Sequence, residues 1–349
     1  MAVDERVRVG LVGLGRMGRF HAVNLAGRIP QAKLVRIVDA NEKVARENSE
    51  RLGGVEWSTD YADLLDDPEI EAVIVASPTP LHAEMTEAAA AAVKHAFCEK
   101  PISLDPKRTY EVIEALRSAG VKMQVGYQRR FDPDYRAAWE KISAGEIGDV
   151  YLFRTSLRDM RSPSPEFLKG SGGFFADVTL HDFDTARWMI GEIEEVTAFG
   201  AALSDPGFEE IGDLDNAVVT LRFANGALGV IDNSRVAGYG YECSSEILGS
   251  EGTLRIDNHR RVAVQTLTPG RMSQDYVSDF VERFADAYRE EMEYFVRAVR
   301  EDLEPEVGGA DDAAAFALSK AAEHSYREGK TVRLTSEKRN GAVFYEETN

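Results

Sequence analysis

Apolar runs alternate with helical stretches through the first 125 residues: "VRVGLVG", a helix from about Met17, "KLVRIVD", a helix through "KVARENSERL", "EAVIVAS", the alanine-rich "TEAAAAAVKHAF" and "HAFCEK". Runs that are apolar at every position are buried on both faces, and joining them through helices calls for a parallel sheet with right-handed crossovers. After "VKMQVGY" the pattern changes. A helix around "DYRAAWEKISAGEIG" leads to "DVYLFRTSLRD", to "SGGFFADVTLHDFD", and then to long strand-like runs. These are "EEVTAFGAAL", "NAVVTLRFA", "ALGVIDNSRV", "YECSSEILGS", "GTLRID" and "RVAVQTL", separated by turn signals such as Ala224-Asn225-Gly226 and Ser250-Glu251-Gly252. Two amphipathic helices, over roughly 275–302 and 309–329, precede a short strand "TVRL". The expected fold class is α/β. Residues 1–125 form a doubly wound parallel sheet, residues 126–335 an α+β domain on a large open, mostly antiparallel sheet, and residues 336–349 a polar tail. Both alternating sets of "NAVVTLRFA" and "ALGVIDNSRV" are rich in apolar residues, so the far face of that sheet is expected to be covered by another subunit.

At 349 residues the chain exceeds the size at which one core stops growing, and a 44% hydrophobic content fills two. The formal charge of -19, from 41 basic and 60 acidic residues, argues against a nucleic-acid groove or an anionic membrane surface and for a neutral small molecule as partner. Cys98 and Cys243 are too few for a disulfide framework, and "MAVDERVRVG" lacks the apolar core of a secretory signal, so a cytoplasmic location is expected. No apolar run approaches the roughly 18 residues of a membrane span.

"VGLVGLGRMG" places Gly13, Gly15, Arg16, Met17 and Gly18 in a GxGxxG that follows a strand and opens a helix. Such glycines let the chain turn sharply and bring backbone N–H groups against a pyrophosphate, where the helix dipole favours negative charge. Asp39 ends the second strand about twenty residues later, where a carboxylate accepts from ribose hydroxyls, completing a Rossmann fingerprint. No arginine follows Asp39 in "VDANEK", which favours NAD over NADP. Ser77, Pro78 and Thr79 end the strand "EAVIVAS" at the crevice edge, and His82 opens the next helix as a structural first-turn residue or a cofactor contact. Lys100, in "FCEKPISLD", ends a strand at the same edge, beside Glu99 and Pro101.

Asp177 and His181 stand four places apart in "SGGFFADVTLHDFD", on one face of a helix, with Asp182 and Asp184 close behind. A core helix whose histidine bonds the carboxylate one turn away fits this pattern, and so does a reactive face; the residues alone leave both open. A metal site lacks a second histidine or cysteine cluster nearby, so no metal is expected.

The glycine fingerprint, "ASPTPLH", "CEKP", "GYQRRFDPDY", the Gly-Gly-x3-Asp-x3-His motif and "GALGVIDNSRVAGYGYE" together resemble the Gfo/Idh/MocA family of sugar and cyclitol dehydrogenases over nearly the whole chain. Within it, "FFADVTLHDFDTARW" and "ALGVIDNSR" look most like inositol 2-dehydrogenases. The resemblance implies NAD-dependent oxidation of a secondary ring hydroxyl, myo-inositol to 2-keto-myo-inositol foremost, with Lys100, Asp177 and His181 as the catalytic trio. It implies a homotetramer as well. Lys100 also counts among the cofactor and substrate contacts, Glu99 and Gln128 among those to cofactor, and Arg129 or Arg130, Arg158, Asp159, Asp182 and Tyr241 are candidates for substrate hydroxyls. Competing readings are dehydrogenation of an aldopyranose, anhydrosugar or glycoside, an NAD-dependent glycosidase, and a non-catalytic NAD-binding sensor of the same fold.

Overall fold

In the computed structural model, which describes residues 5–339 and 342–348, the early apolar runs become β1 (Val7–Val12), β2 (Ala32–Val38), β3 (Glu56–Ser58), β4 (Ala72–Val75), β5 (His95–Cys98) and β6 (Met123–Val125). They form one sheet in the order β3-β2-β1-β4-β5-β6, and every neighbouring pair is parallel. Strand order reverses between β1 and β4, which opens a crevice outside their carboxyl ends. Val9, Leu11, Ile37, Ile74 and Phe97 are fully buried in this sheet and share one core with Met292, Phe295 and Val296 of the helix Ala285–Arg300.

That last helix changes the domain boundary. The first unit runs to Phe131 and resumes over Asp286–Ala313, and the second comprises Asp132–Ala285 and the chain from Ala314 on. The sequence reading ended the first domain at 125 and placed 286–313 in the second. Chain order suggests that placement, but the apolar stripe of the helix packs on the first sheet, and Gln124 Nε2 donates to Glu291 O at 2.8 Å.

In the second unit β7 (Val150–Arg158), β8 (Ile193–Ala201), β9 (Asn216–Phe223), β10 (Leu228–Ser234), β11 (Glu242–Gly249) and β12 (Thr253–Ile256) carry most of the sheet. β13 (Thr266–Thr268) and β14 (Arg271–Ser273) pair only with each other, while β15 (Val332–Arg339) and β16 (Ala342–Thr348) complete the large sheet. Its order is β12-β11-β7-β10-β9-β8-β15-β16. β7 and β10 run parallel and the other neighbours antiparallel.

Two expectations change here. "RVAVQTL" does not join the large sheet: only its end is strand, in the separate ribbon, where Val262, Val264, Leu267 and Met272 stay exposed. The expected strand "TVRL" pairs with β8 through Val332 and Arg333, opposite Val196 and Glu195, but most of the segment 336–349 read as a polar tail is strand as well, because β15 runs on to Arg339 and β16 pairs antiparallel with it. Polar side chains are common on such outer strands.

The helix Leu180–Ile190 covers one face of this sheet: Asp182 accepts from Thr155 Oγ1 on β7 at 3.2 Å and from Asn233 Nδ2 on β10 at 2.9 Å. The opposite face is mixed. Arg222 and Arg333 flank Glu195, and Arg154 and Arg255 flank Glu246, beside exposed Phe199, Val218, Leu228 and Leu248. Among the described residues no helix is long and apolar enough to cross a membrane.

Candidate active site

The glycine turn follows β1 directly. Gly13 sits at φ +91°, and a Cβ there would lie 2.5 Å from Ala76 O; at Gly18 it would lie 1.8 Å from Gly13 O. Both positions are therefore closed to any side chain by backbone. Gly15 is different: a Cβ would meet nothing within 4 Å. It caps the helix Arg16–Gly27 without a side-chain hydrogen bond, so Arg16 and Met17 begin a helix whose positive end no side chain of the cap position covers. Asp39, just past β2, accepts from Leu14 N at 2.8 Å and from Asn41 N at 2.9 Å, one bond to each carboxylate oxygen. A second lone pair remains on each for hydroxyl donors. Ser77 Oγ and Gln128 Oε1 are buried and have no hydrogen-bond partner among the described residues. An open glycine cradle at a helix start, a carboxylate at the end of β2 and orphaned polar atoms at the crevice strands fit a dinucleotide.

Lys100 leaves β5 on a firmly held turn in the same unit. Glu99 N donates to Val75 O at 2.9 Å, and the Glu99 carboxylate meets Nε2 of fully buried His21 at 2.6 Å. Burial pushes the Glu99 carboxyl upward, but the His21 hydrogen bond, with the charges of His21, Lys100 and His82, outweighs it and holds the group below the usual carboxylate range. A Cβ on Gly126 would come within 2.8 Å of Glu99 Oε2, so the carboxylate depends on glycine there. The Lys100–Pro101 bond is cis. Next along the turn, Asp312 accepts from Ile102 N at 3.0 Å and from Tyr127 OH at 2.8 Å.

His82 ties this turn to the cofactor crevice: its ring nitrogens face Pro101 O and Ser77 O, each at 2.8 Å. Both partners are acceptors, so the neutral ring donates to one of the two carbonyls and only the protonated ring donates to both. Burial drives its pKa down, against the upward pull of the two carbonyls and Glu99. Glu291 is also fully buried, and burial, reinforced by the charge of Glu99, raises its carboxyl well above the ordinary value. Of the arginines in "GYQRRF", Arg129 is buried and Arg130 donates to Asp311 at 2.9 Å.

In the second unit the segment carrying Asp177 is not a regular α-helix. Phe175–Thr179 form a π-helical turn that runs into the helix Leu180–Ile190. The widened turn follows Gly172 and Gly173, at φ +86° and +91°, and Asp177 N donates to Gly173 O at 3.1 Å. Such turns are frequent at functional sites. Asp177 Oδ2 accepts from Arg235 Nη1 at 2.9 Å. His181 follows one turn later, its carbonyl accepting from Thr185 Oγ1 at 2.7 Å.

The other candidates separate. Asp182 is fully buried and bonded to Thr155 and Asn233, which makes it a tie between helix and sheet. Asp184 is buried as well. Arg158 points to the face opposite the helix, bonded to Asp232 and near Glu242 and Tyr239. Asp159 pairs through its backbone with Ser234 and Ala237. Tyr241 is buried, its ring edge-on to Phe284. Sequence reasoning missed Arg235 and Asp213; the basic residue inside the quoted "ALGVIDNSRV" was the available signal. Among the described residues no cluster of histidine, cysteine and acidic side chains is suited to hold a metal ion.

Residues 7–127 match the model of an oxidoreductase family with an NAD-binding Rossmann fold, and residues 135–255 the GFO/IDH/MocA C-terminal domain. The myo-inositol 2-dehydrogenase of Thermotoga maritima is 42% identical over 330 residues, which is 94% of this chain and 98% of that protein. The scyllo-inositol 2-dehydrogenase (NAD(+)) of Bacillus subtilis is 38% identical over 333 residues, 95% and 97% of the two chains. Among solved structures, scyllo-inositol dehydrogenase from Lactobacillus casei with bound NAD(H) and scyllo-inositol superposes with a TM-score of 0.89 at 30% identity, covering 94% of this chain and 99% of that one.

Proposed function

The chain belongs to the GFO/IDH/MocA family of NAD-binding oxidoreductases, and from that premise we propose that it oxidises one secondary ring hydroxyl of a cyclitol, myo-inositol to 2-keto-myo-inositol foremost. One observation carries the reading beyond the family. Asp177, in a π-helical turn one turn before His181, is held by a buried arginine in a chain whose full-length relatives include named inositol dehydrogenases.

NAD, when bound, accepts the hydride released from the ring carbon. The chain must remove the hydroxyl proton and stabilise the charge left on oxygen. Neutral His181 takes that proton, a role for which an imidazole suits neutral pH. The Lys100 ammonium, on its braced turn, stabilises the developing alkoxide. Asp177 orients the base and balances the charge that builds as His181 becomes protonated. Asp39 meets the ribose hydroxyls, and Gly13, Gly15 and Gly18 shape the pyrophosphate cradle.

Incubation with NAD and a panel of inositols, aldopyranoses and glycosides tests this reading. NADH should accumulate in proportion to ketone with a cyclitol. NADH formed only with an aldose or glycoside changes the substrate class, and sugar release without net NADH, or no turnover at all, sinks the dehydrogenase.

Cofactor choice turns on Asp39, whose carboxylate would repel a 2′-phosphate. The variant Asp39→Ser with Ala40→Arg removes that repulsion and adds a phosphate partner, so the NADP-to-NAD ratio of kcat/KM should rise by about 10-fold or more. An unchanged ratio places Asp39 away from the ribose. The mixed ionic and apolar face of the large sheet is proposed as the contact surface of a homotetramer. Light scattering at micromolar concentration should give four times the chain mass of 38.6 kDa, and a monomeric mass contradicts it.

A further inference from the structure

The guanidinium of Arg235 sits under the π-helical turn just beyond the end of β10. The residue is 0% exposed. Its backbone N–H donates to Asp215 O at 2.8 Å, and Asp215 is itself fixed by Leu203 N, Ser204 N and Asn216 Nδ2. The origin of the side chain is therefore rigid. At its far end Nη1 donates to Asp177 Oδ2 at 2.9 Å and Nη2 lies 3.7 Å from Asp213 Oδ2. The guanidinium carbon stands 5.4 Å from the centre of the Phe174 ring. Asp213 closes the arrangement, since its Oδ1 accepts from Phe174 N, at the start of the widened turn, at 2.9 Å.

A buried cation between two carboxylates is costly to assemble and is weak evidence for added stability. A hydrophobic side chain of the same length, facing a neutral partner in place of Asp213, would fill the space with less desolvation. What an arginine adds is a rigid planar cation that faces two carboxylates at once: Nη1 makes a single charge-assisted bond to Asp177 Oδ2 while Nη2 faces Asp213 Oδ2 at 3.7 Å. Asp177 lies within the π-helical segment Phe175–Thr179, and Asp213 and Arg235 grip that segment at its start, through Phe174 N, and at Asp177.

We propose that Arg235, anchored by Asp213, is a positioning residue for the dehydrogenase reaction, fixing the Asp177 carboxylate in the orientation that serves His181. This inference rests on the catalytic roles proposed above for Asp177 and His181. Among the charged groups near Asp177 in this unit are Arg235, past β10, bonded to it, and Asp213, on the loop before β9, paired with the same guanidinium; His181 follows on the same helical segment.

Arg235→Met alone leaves two acidic groups without their cation, so a fall in melting temperature is expected and decides nothing. The informative protein is Arg235→Met with Asp213→Asn, which removes one charge of each sign. It should melt above the single variant. With the cyclitol that the wild type oxidises, kcat should fall about 10- to 100-fold, the usual cost of a misplaced reacting group, while NAD affinity and KM change little. Arg235→Lys should recover only part of kcat, because one ammonium cannot face Asp177 and Asp213 from a single rigid plane.

The second measurement needs no turnover. Proton NMR titration of the His181 imidazole, assigned by loss of its signal in His181→Ala, should show a midpoint lower in the double variant than in the wild type by about 0.5 to 1 pH unit. The double change removes one charge of each sign, and an Asp177 carboxylate no longer held in its orientation stabilises the imidazolium less. A folded double variant with wild-type kcat and an unmoved His181 midpoint overturns the proposal. If no cyclitol is turned over by the wild type, the functional reading falls by itself, and the midpoint alone then decides: a lowered value upholds the Arg235–Asp177–His181 linkage and an unmoved or raised value refutes it.

Discussion

His181→Ala is expected to lose about 10² to 10⁴ in kcat while NAD affinity stays near the wild-type value. The loss is what removal of a general base would give, and NAD affinity should hold because the residues proposed for the cofactor, the glycine turn, Asp39 and Ser77, do not include His181. Lys100→Met should cost at least as much, by removing a charge and a hydrogen-bond donor at the alkoxide. In the wild type, kcat/KM for oxidation should rise with pH, since the base must be neutral to accept a proton. Under the proposed roles, the apparent midpoint belongs to His181 together with the Asp177 that orients it and not to the imidazole alone. If His181 only fills the core beside Thr185, the pattern reverses: His181→Ala lowers the melting temperature and the folded protein keeps near-normal turnover. Measuring turnover and melting on one preparation separates the two.

Gly15→Val should abolish tight NAD binding, raising Kd by about 100-fold or more, and leave the melting temperature of the NAD-free protein nearly unchanged. The reason is local. Apart from its chain neighbours, no atom of the described residues lies within 4 Å of a Cβ at Gly15, and its φ of -66° suits any residue, so the protein accepts the side chain and a pyrophosphate bound at the proposed cradle would meet it. Gly18→Ala is the contrast: its Cβ would lie 1.8 Å from Gly13 O, so both binding and melting temperature should drop. Calorimetric titration with NAD and thermal unfolding without it give the four values. Normal NAD affinity in Gly15→Val would remove the pyrophosphate from this turn.

Local signals carried most of the first unit. A fully apolar run ending in a glycine turn leaves few structures open, and β1, β2, β4 and β5 appear where that grammar puts them. β3, only Glu56–Ser58, carries too few residues for a pattern. The helix Ala285–Arg300 was legible as amphipathic, but which sheet its stripe would meet is a long-range question that periodicity does not address. Its Glu291 lies on that stripe, three residues after Tyr288 and four before Phe295, and is fully buried. The same limit hid Arg235. Buried arginines are rare, and its partner Asp177 is 58 positions away along the chain, so the basic residue in "ALGVIDNSRV" stands out in sequence while the partner that gives it meaning does not. The spacing of Asp177 and His181 was plain, but the π-helical turn beneath it was not, because the hydrogen-bond register of a turn leaves little trace in side-chain pattern. Arg158 shows the converse: a polar residue in a motif-rich stretch whose strand parity turns it to the opposite face of the sheet.

Deuterium transfer from C2-labelled myo-inositol to NAD tests the central claim most directly. With [2-²H]myo-inositol the account predicts 2-keto-myo-inositol without the label and reduced cofactor carrying one deuteron per ketone formed, observed by mass spectrometry and proton NMR. Reduced cofactor without deuterium, or ketone formed while the label is lost to water, would contradict hydride transfer from that carbon.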